Sequence, residues 1–227
     1  IYDVYNAGQI GDDSYTYYGR HVGGVVGRFS GELDKAYNTG DIYNGYSVVG
    51  GVVGWWYSGD IMNVFNTGNI TVVNKDINNR NSLVGGVVGA VNAESTSGVK
   101  NLDFAYNLGT IRSFIPWESS RNDTATDIQE NQRDNINVVS GIIGGISEHT
   151  EGNSGTPDYT QNPTVNISNV YTTGNIYAAK QMTENGKYVK EDVANAIVGR
   201  AYNNTTHNLG VVKNAYYIKP QDESLFS

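Results

Sequence analysis

The sequence predicts an all-β protein, a parallel β-helix of about five coils with loop insertions, and three observations support this fold class. A glycine-rich block, Val48-Val49-Gly50-Gly51-Val52-Val53-Gly54, recurs along the chain. A second element of the form Tyr-Asn-x-Gly-x-Ile precedes the blocks. The 227 residues include 28 Gly and 17 Tyr but only 4 Pro and no Cys, and ordered stretches rich in Val, Ile, Tyr and Thr favour strands and turns over helices.

The glycine block sets the period of the chain. Its last glycines lie 27 residues apart from Gly27 to Gly54, then 35 to Gly89, and 55 to each of Gly144 and Gly199. The shortest spacing suits one coil of a parallel β-helix, in which short strands separated by bends stack at about 4.8 Å. The longer spacings therefore require insertions, and the whole chain 1–227 is expected to be one domain. We expect units of approximately 1–32, 33–60, 61–98, 99–166 and 167–211, with a partial unit at 212–218.

Within the second unit the pattern predicts three strands. We place them around 35–38, 41–43 and 47–55, with a turn at Thr39-Gly40. The third strand contains the glycine block, whose alternation removes side chains from both faces, so a neighbouring layer is expected to approach closely. Replacement of these glycines with Val should be badly tolerated. In the three best-preserved copies they are Gly23, Gly24, Gly27, Gly50, Gly51, Gly54, Gly85, Gly86 and Gly89.

The Tyr-Asn-x-Gly-x-Ile element predicts three stacked columns. Its asparagines should form a ladder, hydrogen-bonded to one another and to the bend backbone, with Thr172 interrupting it. Its aromatic rings are expected to stack inward, since burial is the usual fate of such a column. The glycine after each Asn is expected to take a positive φ. The columns are Asn6, Asn38, Asn66 and Asn107; Tyr5, Tyr37, Phe65, Tyr106, Tyr171 and Tyr216; and Gly8, Gly40, Gly68, Gly109 and Gly174.

Together the two elements resemble the GLUG-type repeat, which couples a strand ending in Tyr-Asn-x-Gly-x-Ile to a later Val-Gly-Gly-Ile/Leu/Val-Val-Gly. The resemblance extends from Tyr2 to Ile218 apart from the insertions. Such repeats occur in the N-terminal, non-catalytic regions of streptococcal-type immunoglobulin A metalloproteases and in adhesin-like bacterial surface proteins. The resemblance implies a right-handed parallel β-helix, or β-solenoid, on the cell surface, and it supplies no reaction. Because the chain begins at Ile1 within a repeat, we expect it to be a fragment of a longer protein.

Charge and motif content argue against several functions. A net charge of −8 with scattered Lys and Arg disfavours nucleic-acid binding, and no apolar run reaches the roughly 18 residues of a membrane span. His21, His149 and His207 lie in different units without a second His or a Cys nearby, so the sequence predicts no zinc-protease motif, no dedicated metal site and no cofactor. We therefore expect that the domain is not an enzyme.

Carboxylates in the largest insertion leave one enzymatic alternative. Parallel β-helices also host polysaccharide lyases and glycosidases, which place carboxylates across a groove. Here the carboxylates share one polar stretch and do not lie on neighbouring coils, which favours a solvated loop. A cleaving activity would require this loop to fold onto a face of the solenoid. The candidates are Glu118, Asp123, Asp127, Glu130 and Asp134.

Exposed aromatic residues give the stronger functional signal. Because strand neighbours point to opposite faces, at least one of Trp55 and Trp56 is expected to face outward unless the chain bends there. Exposed rings suit a sugar or a protein partner, and packing against the insertions is the alternative. The candidate binding surface comprises Trp55, Trp56, Tyr57, Trp117, Tyr15, Tyr17 and Tyr18.

The sequence thus predicts a non-catalytic repeat domain of a secreted or wall-attached bacterial protein, acting as a rigid stalk, spacer or adhesive surface. Its expected partner is a host protein or a neighbouring domain, with a glycan as the alternative. Two other functions stay open. One is a carbohydrate-binding or polysaccharide-cleaving module, and the other is a substrate-positioning accessory domain of an immunoglobulin A-type metalloprotease.

Overall fold

The computed structural model describes residues 1–14, 19–45, 48–73, 82–92, 98–114, 136–147, 165–179, 191–201 and 209–218. In these ranges the chain forms twenty β-strands and no helix, which confirms the all-β prediction. The strands associate into four sheets, named A to D, and neighbouring strands within each sheet are parallel. Successive coils visit the sheets in the order A, B, C, D, so the chain is a parallel β-helix.

Sheet A is the largest sheet, and its six strands are β1 (Tyr2–Asn6), β4 (Leu33–Asn38), β8 (Ile61–Asn66), β12 (Lys100–Asn107), β16 (Val165–Thr172) and β20 (Leu209–Tyr217). Sheet B contains β5 (Ile42–Asn44), β9 (Ile70–Val73), β13 (Ile111–Phe114) and β17 (Ile176–Ala179). Sheet C contains β2 (His21–Gly23), β6 (Val48–Gly50), β10 (Ser82–Gly85), β14 (Ile136–Ser140) and β18 (Glu191–Asn195). Sheet D contains β3 (Val26–Ser30), β7 (Val53–Ser58), β11 (Val88–Asn92), β15 (Ile143–Ser147) and β19 (Val198–Ala201).

The strand register aligns equivalent motif positions in consecutive coils. Tyr37 pairs with Phe65, and Asn38 pairs with Asn66. The glycine blocks align in the same way. The long insertions therefore enter the chain between sheets, either from B to C or from D to A.

The glycine block is not a single strand. The predicted strand at 47–55 is wrong, because the chain forms β6, bends at Gly51-Val52 and returns as β7. A Cβ on Gly50 would lie 1.9 Å from the carbonyl oxygen of Val53 and 2.5 Å from the amide nitrogen of Gly89. The two arms thus pack backbone against backbone, as only Gly permits. We name each C strand, its bend and the following D strand a glycine arch.

The tip of each glycine arch abuts the side chain of an Asn in sheet A. A Cβ on Gly51 would lie 2.5 Å from Cγ of Asn66 and 2.0 Å from the carbonyl oxygen of Gly86. The first glycine of each pair is therefore needed between the arms, and the second is needed at the tip. The predicted close approach is confirmed, and it occurs both within a coil and between coils. The same tip contact joins Gly24 to Asn38 and Gly86 to Asn107.

The Asn ladder is confirmed. Asn38 Nδ2 donates to Asn66 Oδ1 at 2.8 Å and to the carbonyl oxygen of Gly40 at 2.7 Å. The same 2.8 Å bond joins Asn6 to Asn38 and Asn66 to Asn107. The next contact, from Asn107 to Oγ1 of Thr172, lengthens to 3.5 Å, so Thr172 interrupts the ladder as predicted. Buried amides that are fully hydrogen-bonded stabilise the fold and fix its register.

The glycine arch divides the interior into two apolar cores. Val53 of sheet D and Ile61 of sheet A belong to the larger core, whereas Val49 of sheet C and Ile70 of sheet B belong to the smaller one. All four side chains are fully buried. Burial of each such aliphatic side chain contributes about 1.5–3 kcal/mol, so both sides of the arch hold the coil together.

Four of the five glycines in the bends that follow sheet A are required because successive coils approach closely there, and not because of their φ; these are Gly40, Gly68, Gly109 and Gly174. The expectation of a positive φ is wrong for Gly8, Gly40, Gly68, Gly109 and Gly174. A Cβ on Gly40 would lie 2.0 Å from the carbonyl oxygen of Gly8 in the preceding coil. The glycine is therefore selected by the distance between coils at the bend.

Left-handed backbone occurs instead inside the sheet A strands. One non-glycine residue in each strand has a φ between 49° and 56°. In β4 this residue is Lys35, which lies between Asp34 and Ala36. Both of these neighbours pair with residues of β8, whereas Lys35 has no partner in that register. The extra residue shifts the alternation, so Leu33 and Ala36 are both fully buried although they are three apart. The column comprises Asp3, Lys35, Asn63, Phe104, Asn169 and Asn214.

Replacing Gly51 with Ala should strongly destabilise the protein. The added Cβ would lie 2.0 Å from the carbonyl oxygen of Gly86, so the arch must shift at a cost of about 3 kcal/mol or more. Gly8→Ala is the matched control, because its Cβ would meet only the side-chain oxygen of Asn6, at 3.6 Å. Urea unfolding followed by circular dichroism measures both variants. Equal unfolding midpoints would contradict the arch geometry.

Replacing Thr172 with Asn should extend the ladder and stabilise the last coils. The new amide can accept from Asn107 at an ordinary distance and donate to the Gly174 carbonyl oxygen, which adds about 1 kcal/mol. Thr173→Asn, at the exposed neighbouring position, is the control. Urea unfolding measures the free energy of unfolding of the parent chain and of both variants. A Thr172→Asn protein no more stable than the control would show that the interruption costs nothing.

Candidate binding surface

The aromatic column lies on the outer surface of sheet A. Ala36 and Asn38 are fully buried, and because strand neighbours point to opposite sides, Tyr37 between them points outward. Tyr5 is 63% exposed and Tyr171 is 40% exposed. The expectation that this column stacks inward is therefore wrong.

Consecutive rings of the column stack on one another along the solenoid axis. From Tyr5 to Tyr171 the ring centroids are 4.7 to 5.0 Å apart, and the planes lie within 9° of parallel. Each ring covers the face of the next, so the column presents ring edges to solvent. Burial raises the pKa of the Tyr106 hydroxyl, and the nearby Tyr171 adds to the effect. The Tyr106 hydroxyl is therefore a neutral hydrogen-bonding group at physiological pH.

Two ladders of polar side chains flank the aromatic column. On one side, Asn101 Nδ2 donates to Asp60 Oδ1, and Asn166 Nδ2 donates to Asn101 Oδ1, both at 2.9 Å. On the other side, Asn69 Nδ2 donates to Asp41 Oδ1 at 3.2 Å, and the backbone amide of Thr110 donates to Asn69 Oδ1 at 3.1 Å. These bonds join successive coils, so the outward amides are held in register like the rings.

Phe104 departs from the polar pattern of its column. It has a φ of 52°, where the other strands of sheet A place Asp, Lys or Asn, and its side chain is 56% exposed. A bulky residue is uncommon at positive φ, and such backbone strain costs about 1–3 kcal/mol. On the same outer face Met62 is 38% exposed and Leu108 is 43% exposed. We name these three residues, with the ring edges of Phe65 and Tyr106, the Phe104 patch.

The surroundings of the Phe104 patch are acidic. Asp103 precedes Phe104 and accepts hydrogen bonds at 2.8 Å from Oγ of Ser168 and Nδ2 of Asn169. Asp60 precedes β8 on the same face. Among the outward-facing residues that the structure describes in β8, β12 and β16, none is Lys or Arg. Lys35 of β4 donates to the hydroxyl of Tyr2 in β1, on the side away from β8. The patch is therefore apolar, with carboxylates and amides beside it.

Both Trp55 and Trp56, which the sequence assigned to the binding surface, are buried. Trp56 points into the larger core, is 0% exposed and donates from Nε1 to the carbonyl oxygen of Gly59 at 3.1 Å. Trp55 is 3% exposed and packs with Val48 and against the His21 ring, whose centroid is 4.8 Å away. The expectation of an outward, exposed Trp is therefore wrong, because Trp55 fills the mouth of the glycine arch. Its buried Nε1 has no hydrogen-bond partner among the residues that the structure describes.

The other predicted binding residues are described only in part. Tyr57 is partly exposed, and its hydroxyl accepts a hydrogen bond from Arg28. Trp117, Tyr15, Tyr17 and Tyr18 lie outside the described residues, as do the candidate carboxylates Glu118, Asp123, Asp127, Glu130 and Asp134. Within the described ranges no group of three or more His, Cys, Asp or Glu could hold a metal ion.

Sequence reasoning missed the Phe104 patch. The available signal was an exception in a column, since Phe104 and Leu108 replace residues that are mostly polar in the other units. That signal becomes readable only when the left-handed residue and the outward direction of Tyr106 are known. Alternation alone assigns these positions to the wrong face.

No protein-family model, curated protein or solved structure matches this chain. In the part of the chain that the structure describes, no helix is long and apolar enough to cross a bilayer.

Lys100, at the start of β12, is the one buried cation among the residues whose burial is described. Burial lowers the pKa of its ammonium group from 10.5 to about 8. Because the unfolded chain keeps the higher pKa, protonation of Lys100 opposes folding. This unfavourable contribution is fully present below pH 8 and disappears as the pH rises to about 10.5.

The stability of the protein relative to Lys100→Met should therefore rise with pH. Between pH 7.5 and pH 10 the difference in unfolding free energy should move by about 2 kcal/mol in favour of the parent chain. Urea unfolding of both proteins at the two pH values measures it. Lys213→Met, at an exposed position, is the control for the loss of one positive charge. A pH-independent difference for Lys100→Met would contradict the lowered pKa.

Proposed function

We propose that this chain is a non-catalytic repeat domain that holds sheet A as a rigid binding surface for a protein partner. The observation that supports the proposal best is the outer face of sheet A. There, an aromatic column and two polar ladders are kept in register across successive coils. Such a surface suits an adhesive domain exposed on a bacterial cell or in a secreted protein, as the resemblance to GLUG-type repeats implies.

Rigidity makes this surface suitable for binding. Each inner strand of sheet A pairs with two neighbours, and the buried Asn ladder fixes the bend that follows. A partner therefore meets side chains that are already ordered, so little conformational entropy is lost at the interface.

Sheet A offers a lateral surface large enough for one protein partner. Its six strands span about 24 Å along the solenoid axis at a rise of about 4.8 Å per coil, and a surface of that height can contact one protein domain. Positioning a substrate beside an attached protease would be a particular case of the same protein binding.

Glycan binding fits the described surface less well. Sugars pack on the faces of aromatic rings, and here the faces are covered by neighbouring rings. The ring edges, with Met62 and Leu108 beside them, match the aromatic and Met-containing centre of protein interfaces. The glycan array described below tests the carbohydrate-binding alternative.

The test applies the labelled parent chain to an array of purified extracellular proteins and to a glycan array. Two labelled Thr→Arg variants are applied to the same arrays for comparison. Thr67 is exposed beside the aromatic column, and Thr71 lies on sheet B. We expect saturable binding to at least one protein, weakened at least tenfold by Thr67→Arg and unchanged by Thr71→Arg.

Binding to glycans alone would replace this proposal with the carbohydrate module. Absence of binding on both arrays, or equal binding by the two variants, would overturn the assignment of sheet A. Circular dichroism of both variants before the assay confirms that each has kept its β structure.

A further inference from the structure

The backbone conformation of Phe104 is unfavourable for a bulky side chain. Phe104 combines a left-handed backbone with a side chain that is 56% exposed. In the same column the other strands of sheet A carry Asp3, Lys35, Asn63, Asn169 and Asn214, all polar. Asn and Asp adopt this conformation more readily than Phe. An outlier of this kind at the surface points to a role in binding.

The composition of the patch points to a protein partner. Met62 and Phe104 lie diagonally across β8 and β12, because Met62 pairs with Asp103 in the register. Leu108 follows on the same outer face beyond Tyr106. Aromatic and Met side chains are enriched at the centres of protein interfaces, and a few such residues supply most of the binding energy.

Charge decides which protein surface fits. Asp60 and Asp103 lie beside the patch, and the outward residues described in β8, β12 and β16 include no Lys or Arg. The whole chain carries a net charge of −8. An acidic partner would be repelled, whereas a partner with Lys or Arg around an apolar side chain would be complementary.

We infer that the Phe104 patch is the docking site for a protein segment that presents an aromatic or large aliphatic side chain flanked by Lys or Arg. The apolar side chain packs against Phe104 and Leu108, and its cationic neighbours lie near Asp60 and Asp103. This inference rests on the proposed function and adds the location and chemistry of the partner.

The experiment selects phage-displayed 12-residue random peptides on the full chain and counterselects on Phe104→Asn. Asn keeps the positive φ, so the variant should fold, which its thermal unfolding checks. Enriched peptides are then synthesised with a fluorophore, and anisotropy gives Kd for each variant. We expect peptides with aromatic or Leu residues next to Lys or Arg, and at least a tenfold weaker Kd with Phe104→Asn.

A pair of substitutions at the exposed Met62 tests the sign of the partner's charge. Met62→Lys should weaken binding about tenfold, whereas Met62→Glu should keep or strengthen it. Higher salt should weaken binding to the parent chain. Acidic peptides, an equal loss with Lys and Glu, or no enrichment dependent on Phe104 would each overturn the inference. Peptides that lose binding with Thr67→Arg but not with Phe104→Asn would overturn it while leaving the proposed function intact.

Discussion

The contact between the tip of the glycine arch and the Asn ladder is the constraint on which the structure depends. Gly51 meets Asn66 where a Cβ would lie 2.5 Å from Cγ, so the interior is filled at this point by backbone and by an amide. The amide has its own fixed partners, the next Asn and a bend carbonyl oxygen. The bend between sheets A and B and the bend between sheets C and D therefore hold each other in place, which determines the cross-section of every coil.

This constraint is relaxed in a specific way towards the last coils. Ser140 replaces the first glycine of the arch, and its Oγ donates to the carbonyl oxygen of Ile197 at 2.7 Å. Asn195 takes the same place one coil later, and its Nδ2 donates to the carbonyl oxygen of Gly199 at 2.8 Å. Side-chain hydrogen bonds thus replace part of the direct backbone contact. Stability in a solenoid is close to a sum over neighbouring coils. The weaker ladder at Thr172 and the polar arches therefore both affect the stability of the last coils.

The sequence was sufficient for the repeat, the parallel stacking and the Asn ladder, because all three follow from identical residues at corresponding positions. It was insufficient to establish which side chains point into the core and which point outward. Tyr37 and Asn38 are neighbours in one strand, so an inward Asn ladder already requires an outward Tyr, and the inward expectation overlooked this conflict. The left-handed residue at Lys35 has no fixed residue type, so composition did not reveal it. The bend inside the glycine block was hidden because its glycines are selected by backbone contacts in three dimensions, both between β6 and β7 and with the neighbouring coil.

The same constraints indicate where a binding function can be encoded. Inward positions are fixed by the two cores, by the ladder and by the backbone contacts of the arch, so a change there acts on stability. The aromatic column is also restricted, since each ring must stack on two others at the coil spacing. Outward positions beside that column are free of these demands, and most carry residues that suit their backbone. Phe104 and Leu108 are exceptions. Phe104 lies in β12 and Leu108 in the bend that follows it, and the fold requires no apolar side chain at either position. Specificity in such a repeat is therefore expected in residues that break the pattern, because residues that follow it are explained by the fold.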